Sequence, residues 1–147
     1  MSEKLKQICA LILKEKNGDL SNLVLQKLLY FIQAGSLIYL HTPAFDEEIQ
    51  AWQYGPVVPE AYKEFKYNKK ELEAIQISEE FINSPLAELI RVILNSLRDM
   101  KPFDLVDLTH SYNSWLNAWN GGNQTITTEA IEKCHKELAK NQDGYIF

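Results

Sequence analysis

The stretch from Asp19 to Leu40 constrains the fold of this chain more than any other. Its apolar residues at positions 20, 23, 24, 25, 28, 29, 31, 32, 37, 38 and 40 cover most of a helix circumference instead of one stripe. A helix that is apolar nearly all round gains its stability only when other elements shield every side from water, so it belongs at the centre of a domain. Gly35 inside it costs about 1 kcal/mol relative to Ala, which points to another backbone packing closely at that position.

The flanking segments supply the cover. Leu5, Ile8, Cys9, Ile12 and Leu13 fall at helical spacing and stop at Asn17-Gly18, where Gly readily takes the positive φ of a helix end. Ser84-Pro85 reads as a cap followed by a first-turn proline, and Leu86, Leu89, Ile90, Ile93, Leu94 and Leu97 keep strict helical spacing behind it. After Lys101-Pro102 a shorter helical piece holds Leu105, Val106 and Leu108, followed by Tyr112, Trp115 and Trp119 and a break at Gly121-Gly122. A last helix is predicted from about Thr128 to Lys140, capped by Thr127 or Thr128, with Glu129 at its positive start and Ile131, Cys134 and Leu138 facing inward.

Between residues 47 and 58 the period changes to two, with Ile49 and Ala51 on one side and Gln50, Trp52 and Tyr54 on the other. That pattern predicts a short strand ended by Gly55-Pro56, after which Pro59 opens a helix carrying Tyr62 and Phe65. Glu73 to Ser78, with Ile75 and Ile77 on one face, reads as a second strand pairing with the first. The expected class is mainly α (α+β): one compact helical domain over residues 1–147, built around a central apolar helix, with a small two-stranded β ribbon. A chain of 147 residues can bury roughly 68–70% of its unfolded surface, so it needs no disulfide or metal to hold it.

Charge and targeting signals narrow the function. The 20 acidic and 15 basic residues give a net charge of −5, the wrong sign for a phosphate backbone. Lys63, Lys66, Lys69 and Lys70 gather locally, but Glu60, Glu64, Glu71 and Glu73 interleave with them as on a solvated face. No run approaches the ~20 apolar residues of a membrane span, and Met1 to Lys6 lacks the form of a signal peptide. Cys9 and Cys134 sit in apolar helical patterns, as buried thiols do in a reducing cytosol. The expectation is a cytoplasmic protein with no membrane and no nucleic-acid partner.

Catalytic chemistry is sparse. His41, His110 and His135 lie in separate elements, and none belongs to a metal-ligand pattern. Asp46, Glu47 and Glu48 could hold paired carboxylates, although adjacent strand residues point apart. The best acid–base pair is His110 with Asp107, three residues apart on one helix face. The glycines fit no phosphate-binding loop. No catalytic residue, metal site or cofactor is expected, and the chain reads as a binding protein. A small enzyme and a DNA-binding regulator are the rival classes, the latter requiring a basic recognition helix that the sequence does not offer.

Aromatic residues are the unusual feature, because Trp52, Tyr54, Tyr62, Phe65 and Tyr67 crowd into sixteen positions beside Gly55-Pro56. With one face of the strand covered, Ile49 and Ala51 compete with Trp52 and Tyr54 for the core, and the losing pair meets solvent or a partner. Trp52, Tyr54, Tyr62 and Phe65 are therefore the candidate partner-binding residues, with core packing as the alternative for each.

Leu25-Gln26-Lys27-Leu28-Leu29-Tyr30-Phe31, the run from Phe45 to Pro59 and Tyr62 with Phe65, which together carry an AWxYGPVVPExYxEF string, and Leu108-Thr109-His110 followed by Trp115 resemble the Panacea or SocA-like family of phage-associated proteins. One departure stands at Ser114, where the family pattern has a proline before the tryptophan, so the local helix entry is expected to differ. The resemblance implies an antitoxin-like role, in which the domain binds and blocks a toxin encoded beside it and in one branch presents it to a protease. It also implies that one scaffold meets unrelated toxins, with specificity in variable surface residues. Carried over, the motif positions are Gln26, Lys27, Trp52, Tyr54, Gly55, Pro56 and Tyr62. Gln26, Lys27, Gly55 and Pro56 read as structural, with Gly55 and Pro56 shaping the turn and Gln26 satisfying a nearby backbone group. Both a docked and a partner-engaging role stay open for Gly144-Tyr145-Ile146-Phe147.

Overall fold

A computed structural model describes residues 1–122 and 124–147. The chain runs α1 (Glu3–Glu15), α2 (Asn22–Gly35), β1 (Ile49–Trp52), β2 (Gly55–Val57), α3 (Pro59–Glu73), α4 (Glu79–Ile82), α5 (Pro85–Leu97), α6 (Pro102–His110), α7 (Asn113–Asn120), β3 (Thr125–Ile126) and α8 (Thr128–Asn141). The fold is mainly α with a small antiparallel ribbon, 65% helical. Ser2, Ser21, Ser78, Ser84 and Thr127 cap α1, α2, α4, α5 and α8 by accepting an orphan backbone N–H through the side chain. Proline stands in the first turn of α3, α5 and α6, where its missing N–H costs nothing.

Helix α2 is the central element, with every residue from Leu25 to Gly35 buried. It continues into a π-helical turn, Ser36–Leu40, which His41 ends in the left-handed region at φ 58°. Together Asn22–Leu40 make 19 helical residues, long and apolar enough by length and composition to cross a membrane, and 72% of that window is buried inside the protein. This corrects the expectation that no segment reaches spanning length: Gln26, Lys27 and Gln33 interrupt the apolar run but not the average. Each fully buried Leu, Ile or Phe here contributes about 1.5–3 kcal/mol. One contiguous apolar core joins residues of α1, α2, α3, α5, α6, α7 and α8 with Ile49 and Ala51 of β1.

The polar residues of α2 fasten neighbouring chain to it. Gln33 Oε1 accepts from the Ala44 N–H at 2.7 Å and its Nε2 donates to the Phe45 carbonyl at 2.9 Å, so one side chain satisfies the strandless segment leading to β1. At Gly35 a Cβ would lie 2.9 Å from Ile93 Cδ1 and 3.5 Å from Leu89 Cδ2. The close neighbours expected there are thus side chains of α5, not a backbone.

Strand order in the sheet is β2-β1-β3, all antiparallel. Ile49 and Ala51 turn into the core, while Gln50 and Trp52 stay half-buried, which settles the competition between the two sides of β1. Two expectations about the ribbon are corrected. Gly55-Pro56 does not end the first strand, which stops at Trp52, but begins its return strand, pairing Trp52 with Gly55 and Ala51 with Pro56 across a turn at Gln53 and Tyr54. Glu73 to Ser78 is not a strand: Glu73 closes α3, and Ile75 and Ile77 pack against the apolar core, bordering a surface hollow with Ala10 and Leu13 of α1. Gln7 Oε1 holds the end of that segment by accepting from Ser78 N at 2.9 Å. The third strand comes instead from Thr125–Ile126, through Ile49↔Ile126 and Gln50↔Thr125.

At the other end of the core, His135 of α8 is fully buried. Its Nδ1 lies 2.6 Å from the Ile146 carbonyl, which can only accept, so Nδ1 carries the proton and Nε2 accepts from Tyr30 Oη at 2.8 Å. Tyr30 Oη in turn accepts from Ser114 Oγ at 2.5 Å. Burial holds the His135 ring below its ordinary pKa against the bond to Ile146, so it is neutral. The closing residues dock here: Ile146 is buried, Tyr112 Oη donates to the Phe147 carbonyl at 2.7 Å, and the Phe147 ring meets Phe31 edge-on at 5.1 Å.

Candidate functional site

The hairpin β1–β2 is clamped onto α2 from below. Gln26 Oε1 accepts from Val58 N at 2.8 Å, while its Nε2 donates to Asn22 Oδ1 at 2.9 Å and Asn22 Nδ2 reaches the Tyr62 carbonyl at 3.0 Å. Lys27 is fully buried, and its Nζ donates to the Pro56 carbonyl at 2.9 Å. Removal from water without a carboxylate partner brings its pKa down from 10.5 to about 7. Gly55 sits at φ +111°, and a Cβ there would fall 2.7 Å from Thr109 Oγ1 and 2.9 Å from Lys27 Cε. Only glycine both adopts that backbone and leaves room for the lysine stem and the threonine of α6. Gln26, Lys27, Gly55 and Pro56 therefore form one frame beneath the hairpin.

Helices α6 and α7 brace the hairpin from the side. Trp115 Nε1 donates to the Trp52 carbonyl at 2.9 Å, and His110 Nε2 donates to the Gln53 carbonyl at 2.9 Å. These two bonds take up backbone acceptors at the hairpin turn. The His110 ring stacks on Trp115 at 4.2 Å and 28°, and Trp115 stacks on Trp119 at 5.6 Å and 12°. Trp115 is buried at 5% exposure, whereas Trp119 is 45% exposed.

The result is an aromatic ridge on the surface. Tyr54 at the hairpin tip is 54% exposed and meets Phe103 of α6, 64% exposed, edge-on with ring centres 6.5 Å apart. His110 continues the row to Trp115 and Trp119, with exposed Leu116 beside them on α7. Of the four residues singled out in the sequence, Tyr54 lies on this ridge. Trp52 and Tyr62 lie elsewhere, half-buried against each other at 5.2 Å, with Trp52 Nε1 donating to Gln50 Oε1 at 3.0 Å. Phe65 is corrected outright: at 8% exposure it is part of the core, on the inner face of α3, and has little surface to offer a partner.

Phe103, Leu116 and Trp119 went unrecognised as surface residues. The available signal was the face of α6: Phe103, Asp107 and His110 follow one another at helical spacing, opposite Leu105, Val106 and Thr109, which are buried.

Residues 25–116 match the family described as antitoxin SocA-like, Panacea domain. The chain belongs to this family. The match begins in α2 and ends in α7, so it spans the frame, the hairpin and most of the ridge. Comparison with curated proteins and with solved structures returned no match.

Elsewhere in this Panacea chain the titratable groups do not converge. His41 is exposed and His135 is locked in the core. His110 is held by the Gln53 carbonyl and by Trp115, and makes no bond to Asp107 among the described residues. Burial pushes the Glu47 carboxyl up, but bonds from the Ser2 N–H at 2.7 Å and the Ser2 hydroxyl at 3.1 Å outweigh it and hold the group below its usual value. Glu48 accepts from Thr125 Oγ1 on the neighbouring strand. Glu47 thus ties down the start of α1 and Glu48 the ribbon, while Asp46 is exposed. Cys9 is fully buried, and burial pushes its thiol up to about 12, with Glu47 and Glu64 adding to the shift, so it is not nucleophilic. Among the described residues, no group of three or more His, Cys, Asp or Glu is placed to hold a metal ion. Ser114, where the family pattern expects proline, is the second residue of α7, and its hydroxyl donates to Tyr30 Oη.

Proposed function

We propose that this protein is an antitoxin-like binding module that neutralises a toxin encoded beside it, in the cytoplasm, by direct contact and without catalysis. One observation carries the reading. Tyr54 and Phe103, within the segment that matches the family, and Trp119, three residues beyond it, expose large aromatic surface, while the hairpin backbone is fastened at Gln26, Lys27, His110 and Trp115. Exposed aromatics on a rigid support suit an interface: they offer much contact area and lose little side-chain entropy on binding.

Family membership supports the antitoxin part, and the scattered titratable groups favour binding over catalysis. The test is expression of the neighbouring gene alone and together with this one, followed by capture of the tagged protein. Toxicity relieved with a stoichiometric complex supports the proposal, and loss of both in a Tyr54→Ser, Trp119→Ser double variant places the contact on the ridge. Toxicity without rescue and without a complex overturns it. A toxin whose half-life shortens when this protein is present shifts the reading from sequestration to delivery for proteolysis.

A further inference from the structure

The aromatic ridge is not uniformly apolar. Phe103, Asp107 and His110 fall on one face of α6, so Asp107 is set between Phe103 and the His110–Trp115–Trp119 stack. Its carboxylate is exposed and makes no ion pair or hydrogen bond among the described residues. Polar donors that follow it on α6 are already engaged: His110 Nε2 donates to the Gln53 carbonyl, and Thr109 Oγ1 donates inward to the Val106 carbonyl at 3.0 Å. Of the lysines on the elements around it, Lys27 is buried behind the hairpin on the Pro56 carbonyl, and the exposed Lys101 at the start of α6 makes no ion pair with Asp107 among the described residues. What the ridge presents is an uncompensated negative charge bordered by aromatic faces.

We infer that this ridge receives a cationic side chain, an arginine of the protein partner, with its guanidinium paired to Asp107 and lying against the ring faces of Phe103 or Trp119. Arginine suits both halves of the surface. Its planar fork pairs with a carboxylate, and its weakly hydrated flat face stacks on an aromatic ring at little desolvation cost. Lysine satisfies the charge but not the stacking, and an apolar side chain satisfies neither Asp107 nor the edge of His110. The whole chain, at net charge −5, also favours approach of a basic partner segment.

The inference rests on the ridge being the partner surface, but its chemistry can be tested without the partner. The probe is a capped Gly-Arg-Gly peptide, compared with Gly-Lys-Gly and Gly-Leu-Gly, titrated into the full chain at low salt while the Trp119 indole and Asp107 amide resonances are followed. Movement of both with the arginine peptide, weaker movement with lysine and none with leucine is the expected result. Asp107→Asn, an exposed position where the fold is indifferent, is expected to weaken the arginine response about three- to fivefold. Equal responses to arginine and leucine, or an Asp107→Asn protein that titrates like the wild type, overturn the inference. With a captured partner in hand, Asp107→Arg is expected to lose about tenfold or more in affinity, while Asp107→Glu keeps most of it. A protein that binds the arginine peptide but captures no neighbouring gene product leaves the cation site standing and removes the antitoxin reading; the converse result removes the cation site alone.

Discussion

At Gly55 two independent constraints meet in one residue: a φ of +111° that side chains avoid and a space already occupied by Thr109 Oγ1 and Lys27 Cε. Gly55→Ala is therefore expected to cost about 2–3 kcal/mol in urea unfolding, through backbone strain and displacement of the lysine together. Lys27 itself makes stability depend on pH in a direction that can be worked out. Its folded value lies near 7 and its ordinary value at 10.5. Between these the unfolded chain holds a proton that the folded one does not, so stability rises with pH, by at most about 1.4 kcal/mol per unit. Below 7 the term is constant. Lys27→Met is expected to flatten that rise, measured by urea unfolding between about pH 7 and about pH 8.5, below the range in which the Cys9 thiol of the unfolded chain ionises.

Elements in this fold are joined by single side chains that each serve a whole segment. Gln33 meets the backbone of both Ala44 and Phe45. Gln33→Leu leaves buried backbone groups unpaired and is expected to lower stability by about 2–3 kcal/mol, with hydrogen exchange speeding up first at residues 44 and 45. Helix α8 adds an acid sensitivity of the same sign as that of Lys27: its buried His135 stays neutral where an unfolded histidine takes up a proton at 6.5. Stability is therefore expected to fall as pH drops below 6.5 until the folded ring itself titrates, a trend that thermal melts at about pH 7 and about pH 5 will read. The helices were legible because their caps and first-turn prolines are local signals: Ser84-Pro85 and Thr127 mark true starts. The ribbon was half legible. Ile75 and Ile77 alternate like a strand, yet the alternation reflects packing against the core, and a two-residue strand such as Thr125–Ile126 has no period to detect.

Across the whole molecule, the residues of the family-like string divide between a buried frame and a surface. The frame left a signal in the sequence, because Gln26 and Lys27 stand out on an apolar helix and Gly55-Pro56 marks a break in the strand pattern, although the turn itself falls at Gln53 and Tyr54. The ridge was not readable there, because its members come from β1–β2, α6 and α7, and only their packing brings Tyr54, Phe103 and Trp119 to one side. For that reason Phe65, eleven positions from Tyr54, is core while Phe103, far along the chain, is surface. Phe103→Ser and Trp119→Ser are expected to leave unfolding free energy within about 0.5–1 kcal/mol of wild type while sharply reducing partner capture. Phe65→Ser is expected to cost about 3–5 kcal/mol, so loss of capture in that variant would follow from unfolding. Urea curves beside pull-downs separate the two.

The sealed amine of Lys27 also makes the protein its own clock. Every other lysine side chain is at least partly open to solvent, and an acylating reagent reaches it directly. Lys27 can be labelled only in the moments when the hairpin lifts off α2, so the rate at which it gains mass counts those openings. A partner seated across the hairpin tip should slow that count, and mass spectrometry of the untagged chain would register its arrival with no probe attached.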